Sequence, residues 1–150
     1  MKVVLQVVKE ASVSIENKIF SEINHGLLIL VGIEDSDSDL DINWLSNKIT
    51  NMRVFVDENH TMNLSVKDVL GDVLVVSQFT LQASTNKGHR PSYIKASKPD
   101  VAIPMYEKFV SQLETDLGKS VFTGVFGADM KVSLVNEGPV TIVMDSKDKK

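Results

Sequence analysis

The sequence predicts a single α+β domain with a mainly antiparallel β-sheet and two principal helices. Short runs rich in Val, Ile and Leu recur along the 150 residues, and turn residues separate several of them. Only two segments repeat apolar residues with a helical period, and long intervals lie between them. The regular alternation of strand and helix that builds a parallel sheet is therefore absent, and a chain of this length suits one hydrophobic core.

The two predicted helices both carry recognisable end signals. In the segment SDLDINWLSNKITNM, residues 38–52, four apolar residues fall on one face, and Ser38 with Asp41 has the spacing of a capping box. The second helix is predicted from about Pro99 to Leu117, with proline near its start and Gly118 just past its end. Both segments are thus predicted to be helices with one apolar face.

The strand pattern contains one local conflict, in LVNEGPVTIVMD at residues 134–145. The predicted strands cover residues 3–8, 13–16, 27–33, 53–56, 73–81, 131–135 and 140–144. Between the last two lie Gly138 and Pro139, where glycine weakens a strand and proline removes a ladder donor. A hairpin turn and a cis Gly-Pro bond both fit this interruption.

Composition excludes several classes of function. The chain has no cysteine, so disulfides, thiolate catalysis and thiolate zinc sites are ruled out. No apolar run approaches the roughly 20 residues that span a bilayer, and charges at Lys9 and Glu10 interrupt any signal-peptide core, so we expect a cytoplasmic protein with no membrane partner. The net charge of −4 gives no indication of a nucleic-acid partner.

One segment departs from this acidic balance. Residues 84–98, STNKGHRPSYIKASK, contain no acid and four cations, Lys87, Arg90, Lys95 and Lys98. A solvated loop and a small phosphate-binding edge both fit such a segment, and the second suits a nucleic-acid end.

No metal or cofactor site is predicted. His25, His60 and His89 share no ligand spacing and lie in polar or glycine-containing turns, so we expect surface histidines. GVFGAD, residues 124–129, lacks the glycine pattern of a nucleotide-binding loop and is expected to bend the chain into the next strand.

The strand ending in VVSQFTLQAS, residues 75–84, is the clearest candidate for a site. Ser77, Gln78 and Thr80 follow an apolar run, and buried polar groups need partners, so they mark either a satisfied strand end or a pocket mouth. A hydroxyl nucleophile at Ser77 or Thr80 needs a base, and only His89 is even loosely near in sequence. The sequence does not identify a catalytic triad.

Two motifs together resemble a known family. SQFTL at residues 77–81 and NEGPVT at residues 136–141 match the signatures SQxTL and NxGPxT of the bacterial and eukaryotic D-aminoacyl-tRNA deacylases. KGHRPSY at 87–93 and FGADMKVSLVN at 126–136 extend the resemblance, which covers nearly the whole chain. Either motif alone is weak, but the pair, about 55 residues apart in a chain of this length, is specific.

The resemblance implies a homodimeric hydrolase, barrel-like when dimerised, that needs no cofactor. Its substrate would be the 3′ acceptor end of a D-aminoacyl-tRNA, whose ester it cleaves to free D-amino acid and tRNA. Glycyl-tRNA mischarged on tRNA(Ala) is expected to be accepted as well. A cis Gly138-Pro139 peptide would enter the partner subunit's pocket, bind the α-amino group through main-chain carbonyls and exclude L side chains sterically.

The resemblance also implies roles for individual residues. The catalytic residues would be Ser77, Gln78, Phe79 and Thr80, and the substrate-binding residues would be Ala96, Phe126, Met130, Asn136, Gly138 and Pro139. The substrate's own 2′-hydroxyl would activate the attacking water, which agrees with the missing base. Main-chain amides around Phe79 and Thr80 are candidates for the oxyanion.

One residue departs from the family pattern, which reads QRV in the first strand where this chain has Gln6-Val7-Val8. The arginine is thought to brace the Gly-Pro loop, and valine cannot donate those hydrogen bonds. We therefore expect either weaker discrimination against L-aminoacyl-tRNA or a handling of glycyl-tRNA that differs from the family norm. Two other functions stay open from the sequence: a non-catalytic aminoacyl-tRNA binding module, and an esterase with Thr80 as nucleophile.

Overall fold

Eight strands and two long helices follow one another irregularly in the computed structural model, which describes all residues, 1–150. The strands are β1 (Lys2–Ile15), β2 (Lys18–Ile23), β3 (Gly26–Gly32), β4 (Phe55–Val56), β5 (Met62–Leu64), β6 (Asp72–Ser77), β7 (Phe122–Thr123) and β8 (Lys131–Asp145). The helices are α1 (Asp39–Asn51) and α2 (Pro99–Leu117), and a 3₁₀ turn covers Phe79–Gln82. The predicted α+β class with two principal helices is confirmed.

Six strands form one mixed sheet in the order β2-β1-β3-β6-β7, with β8 also paired to β1. β1 runs antiparallel to β2, β3 and β8, whereas β6 is parallel to both β3 and β7. The two edge strands meet, because the Ser21 hydroxyl of β2 donates a hydrogen bond to the Thr123 carbonyl of β7 at 2.7 Å. The sheet is therefore nearly closed on itself, like a barrel.

Both faces of this sheet are buried, as the alternation of side chains along β3 and β6 shows. Leu27 and Ile29 of β3 join the main core beneath the helices, whereas Leu28 points into a second, smaller cluster on the opposite face. Leu74 of β6 faces that second cluster too, and Val75 faces the main core. Burial on both sides explains why these strands read as continuous apolar runs rather than as an alternating pattern.

The helices begin and end where local signals place them. Ser38 caps α1 in a capping box with Asp41, and Gly118 ends α2 in the left-handed conformation at φ 81°. Burial alone would raise the pKa of Asp41, but hydrogen bonds from Ser146, Lys147 and Ser38 outweigh it and hold the pKa well below its usual range. Neither helix is both long and apolar enough to cross a membrane.

The strand predictions were wrong mainly at interruptions. Segments 3–8 and 13–16 form one strand, β1, because pairing with β8 and β2 continues across register shifts that absorb the irregularity. Segments 131–135 and 140–144 likewise form one strand, β8, because both flanks pair with β1. The predicted strand 73–81 ends at Ser77, where the chain turns into the 3₁₀ segment. Three short strands, β2, β5 and β7, were missed.

Candidate active site

A cavity of about 300 Å³ opens where β6 ends. Its walls come from the ends of β3 and β6, the 3₁₀ turn, the start of α2 and the segment that enters β8. The residues that line it are Val31, Ile33, Val76, Ser77, Gln78, Phe79, Ser97, Ala102, Phe126, Gly127, Ala128, Asp129, Met130 and Val132. The polar strand end noted in the sequence is thus a pocket wall.

The backbone after β6 turns sharply at the pocket. Ser77 is the last residue of β6, and the Gln78 amide still donates to the Val31 carbonyl of β3 at 2.7 Å. The chain then folds back, which brings the Gln78 carbonyl against Gly32. A Cβ atom on Gly32 would lie 2.9 Å from that carbonyl oxygen, so only glycine lets β3 pass this close to the turn.

The polar side chains of this turn bond to each other rather than to a base. Gln78 Nε2 donates a short hydrogen bond to Thr80 Oγ1. Thr80 itself does not line the cavity. The amides of Phe79 and Thr80 begin the 3₁₀ turn, where a helix leaves its first N–H groups without an intrahelical acceptor. The turn therefore offers main-chain donors at the pocket and no activated hydroxyl.

Two aromatic pairs frame the cavity. Phe79 is 54% exposed and packs edge-to-face on Tyr93 of residues 84–98, which we call the basic segment, with ring centroids 5.2 Å apart. Phe126 packs edge-to-face on Tyr106 of α2 at 5.8 Å. One pair lies at the solvent side and the other reaches into the core, so the apolar wall is held from both ends.

Gly138 and Pro139, which we call the Gly-Pro tip, project from β8 elsewhere on the chain. Their peptide bond is cis, both residues are exposed, and Gly138 has φ 117°. Neither residue lines the cavity of its own chain. The tip and the pocket of one chain are therefore separate features.

Comparison with known proteins decides the family. A model of the D-Tyr-tRNA(Tyr) deacylase family matches residues 4–145. A protein of Flavobacterium psychrophilum named D-aminoacyl-tRNA deacylase is 70% identical over 149 residues, with 99% of each chain covered. This chain belongs to the D-Tyr-tRNA(Tyr) deacylase family.

Further relatives of this deacylase family member agree in sequence and fold. The D-aminoacyl-tRNA deacylase of Flavobacterium johnsoniae is 63% identical over 149 residues and 99% of each chain. A solved structure described as "c-Myc DNA Unwinding Element Binding Protein" superposes with a TM-score of 0.89 at 37% identity, covering 97% of this chain and 98% of that one. A second, described as a probable eukaryotic D-amino acid tRNA deacylase, has a TM-score of 0.81 at 18% identity and shows the shared fold.

The structure brings together only part of the predicted site. Five of the predicted residues line the cavity: Ser77, Gln78, Phe79, Phe126 and Met130. Ala96 is half-buried beside the lining residue Ser97, and Asn136 lies in β8 next to the Gly-Pro tip. The three histidines are exposed, and no group of three or more His, Asp or Glu side chains is arranged to hold a metal ion.

Sequence reasoning missed several wall residues. Val31 and Ile33 reach the site because β3 lies parallel to β6, which pairs Val31 with Ser77. Ser97 is held there by its amide, which donates to the Ile33 carbonyl at 3.0 Å, and by its hydroxyl, which donates to Asp35 at 2.6 Å. The only local sequence signal for the site was the group of polar residues that follows the apolar run of β6. No comparable signal marked Val31, Ile33 or Ser97.

Tyr106 supports the pocket wall from behind, and this gives a prediction. Its hydroxyl donates to the Val75 carbonyl at 2.9 Å, the residue is 6% exposed, and burial raises its pKa to about 12. Between pH 10 and 12 the unfolded chain loses this proton while the folded chain keeps it, so stability falls as pH rises. We expect Tyr106→Phe to cost about 1 kcal/mol at pH 9 and nearly nothing at pH 11, measured by urea unfolding. A constant difference between the two proteins would contradict the buried hydroxyl.

Proposed function

We propose that this protein hydrolyses the ester bond of D-aminoacyl-tRNA and releases free D-amino acid and tRNA. The observation that carries the proposal is the cavity beside Ser77, Gln78 and Phe79 in a chain that is 70% identical, over 99% of its length, to a D-aminoacyl-tRNA deacylase. Because the site accepts the amino group and ester rather than a particular side chain, glycyl-tRNA mischarged on tRNA(Ala) is also a substrate. The cytoplasm, where charged tRNA is used, is the proposed location.

The size of the cavity supports an acceptor-end substrate. At about 300 Å³ it lies at the small end of ligand pockets, a size that suits the terminal end of a substrate and is too small for a length of RNA. Phe126 and Met130 supply apolar wall for the adenosine and the aminoacyl group, and Ala96 directly precedes the lining residue Ser97. The terminal adenosine is thus held mainly by packing, with few polar contacts.

The chemistry is hydrolysis assisted by the substrate. The main-chain amides of Phe79 and Thr80 bind the ester carbonyl and the oxyanion that forms when water attacks. No histidine lines the cavity, and its one carboxylate, Asp129, is exposed and paired with Lys131 at 3.2 Å. The 2′-hydroxyl of the terminal adenosine therefore orients and activates the water, and the 3′-oxygen leaves with the proton. Ser77 and Gln78 fix the turn that presents the amides.

Chiral selection comes from a second copy of the chain. The Gly-Pro tip is exposed and lines no part of its own cavity, so in a homodimer it enters the partner subunit's cavity. There the main-chain carbonyls of Gly138 and Pro139 accept hydrogen bonds from the substrate's α-amino group. With amino group and ester fixed, a D side chain points out of the site and an L side chain meets the tip. Glycine has no side chain that could meet the tip, so glycyl-tRNA is accepted.

The basic segment, residues 84–98, contacts the phosphates of the acceptor end. Lys87, Arg90, Lys95 and Lys98 are all exposed, and none forms a salt bridge with a carboxylate. Tyr93 ties the segment to Phe79 at the pocket rim. Four free cations beside a small cavity suit a short, single-stranded end and not an extended DNA duplex.

The proposed function is tested by incubating the protein with D-tyrosyl-tRNA and L-tyrosyl-tRNA in parallel. We expect release of free D-tyrosine at a rate at least about 100-fold above that of L-tyrosine, because one steric clash of several kcal/mol separates them. Spontaneous ester hydrolysis without protein is the control. Tight binding of both tRNAs with no D-specific release would instead identify a non-catalytic binding module.

A further inference from the structure

The Gly-Pro tip is a bulge whose two ends are defined by strand pairing. On one side Gln6 of β1 pairs with Thr141, and on the other Val8 pairs with Asn136. Residues 137–140 are therefore looped out opposite a single β1 residue, Val7. Glu137, Gly138 and Pro139 are exposed, whereas Val140 is half-buried and packs against the main core. The exposed part of the loop lacks ladder pairing with β1, so bonds from neighbouring side chains are needed to fix its shape.

Asn136 ties the two ends of this loop together. Its side-chain Nδ2 donates to the Val7 carbonyl of β1 at 2.9 Å and to the Val140 carbonyl at 3.0 Å. Both amide hydrogens are thus used, one across to the neighbouring strand and one across the base of the loop. A single side chain closes the loop and anchors it to the sheet.

Two further side chains orient that amide. The Thr141 hydroxyl donates to Asn136 Oδ1 at 3.3 Å, and Gln6 Nε2 donates to Thr141 Oγ1 at 3.2 Å. The chain of donors runs in one direction, from Gln6 through Thr141 to Asn136 and on to the two carbonyls. Each bond fixes the orientation of the next group.

Residue 7 contributes only its carbonyl oxygen to this arrangement. The Val7 side chain is 3% exposed and belongs to the main core beneath the helices. It therefore faces the core and not the solvent, and a valine side chain has no donor with which to hold the tip.

We propose that Gln6, Thr141 and Asn136 form a polar brace that positions the Gly-Pro tip and so sets the ratio of D- to L-aminoacyl-tRNA hydrolysis. The proposal rests on the proposed function. The three are positioning residues, since they act through Gly138 and Pro139 and not on the reacting atoms. The brace, rather than the side chain at position 7, fixes the shape of the tip in this chain.

Matched substitutions at Thr141 test the brace. Thr141→Val keeps the shape and removes the hydroxyl, whereas Thr141→Ser keeps the hydroxyl. We expect Thr141→Val to lower the D/L ratio of kcat/KM about fivefold, by speeding hydrolysis of L-tyrosyl-tRNA, and Thr141→Ser to restore it. Asn136→Ala removes both bonds to carbonyls, and we expect a loss of about 30-fold. An unchanged D/L ratio in Thr141→Val would overturn the role in selectivity.

A second measurement reads the brace without any catalysis. We expect the ¹⁵N relaxation order parameter of the Gly138 amide to fall in Thr141→Val and to return in Thr141→Ser, while amides of β3 keep theirs. If Gly138 is equally rigid in all three proteins, the brace does not exist. Should the wild-type protein release no amino acid while Gly138 still loosens in Thr141→Val, the proposed function fails and the brace stands.

Discussion

Replacing Gly138 with alanine is expected to lower kcat/KM for D-tyrosyl-tRNA at least about 100-fold. At φ 117° an L residue is strained, and the new Cβ would lie 2.8 Å from Val140 Cγ2 and 3.2 Å from the Val140 amide nitrogen. The loop must shift to relieve both contacts, which moves the carbonyls proposed to bind the α-amino group. A displacement of about 1 Å in such a group costs about two orders of magnitude.

Gly118→Ala is the matched control for this substitution. Gly118 also has a positive φ, 81°, but it lies at the end of α2, where a Cβ meets nothing within 4 Å. We expect a stability loss of about 1 kcal/mol and an unchanged kcat/KM. Equal losses of activity in the two variants would show that general destabilisation, and not the tip, explains the effect. Steady-state kinetics and thermal unfolding of both proteins decide the question.

A D-tyrosyl-tRNA that ends in 2′-deoxyadenosine is expected to be hydrolysed at least about 100-fold more slowly than the natural substrate. The cavity has no histidine, and Thr80 accepts a hydrogen bond from Gln78 instead of facing a base. Because the one carboxylate of the cavity, Asp129, is exposed and paired with Lys131, we expect no side chain of the protein to activate water. Removing the 2′-hydroxyl removes the group proposed to take this role. Single-turnover rates, each corrected for spontaneous hydrolysis, measure the effect.

Two controls separate this mechanism from a Thr80 nucleophile. The deoxy substrate should still compete with the natural one at similar concentrations, because base, ribose and amino acid contacts remain. Thr80→Val should keep more than about a tenth of the wild-type rate, since it loses a hydrogen bond that shapes the turn and no reacting atom. If Thr80→Val abolished turnover while the deoxy substrate reacted at full rate, Thr80 would be the nucleophile.

Much of the fold follows from local sequence signals. Both helices have the predicted limits, because a capping box at Ser38, a proline at Pro99 and a glycine at Gly118 act within one turn of the residues they cap. Strand continuity could not be predicted in the same way. Whether β8 continues past Pro139 depends on β1, a partner more than a hundred residues away, and nothing near Pro139 encodes that pairing.

Like the fold, the candidate site could be predicted from the sequence only in part. Ser77 and Gln78, polar residues directly after an apolar run, indicated either a strand end or a pocket mouth, because buried polar groups need partners. In the structure both residues line the cavity. No sequence signal identified the residues of the opposite walls. Val31 and Ser97 reach the pocket through the parallel pairing of β3 with β6 and through bonds to Ile33 and Asp35, which only the folded chain assembles.

The sequence by itself determined the helices, the α+β class, and the two motifs that place this chain among the deacylases. Those features depend on residue types at short spacings along the chain, and such spacings are the same in the folded and the unfolded protein. Only the tertiary structure decided that the Gly-Pro tip lies apart from its own cavity, and that Asn136, Thr141 and Gln6 hold it while Val7 is buried. These depend on contacts across β1 and β8, which exist only once distant segments pair.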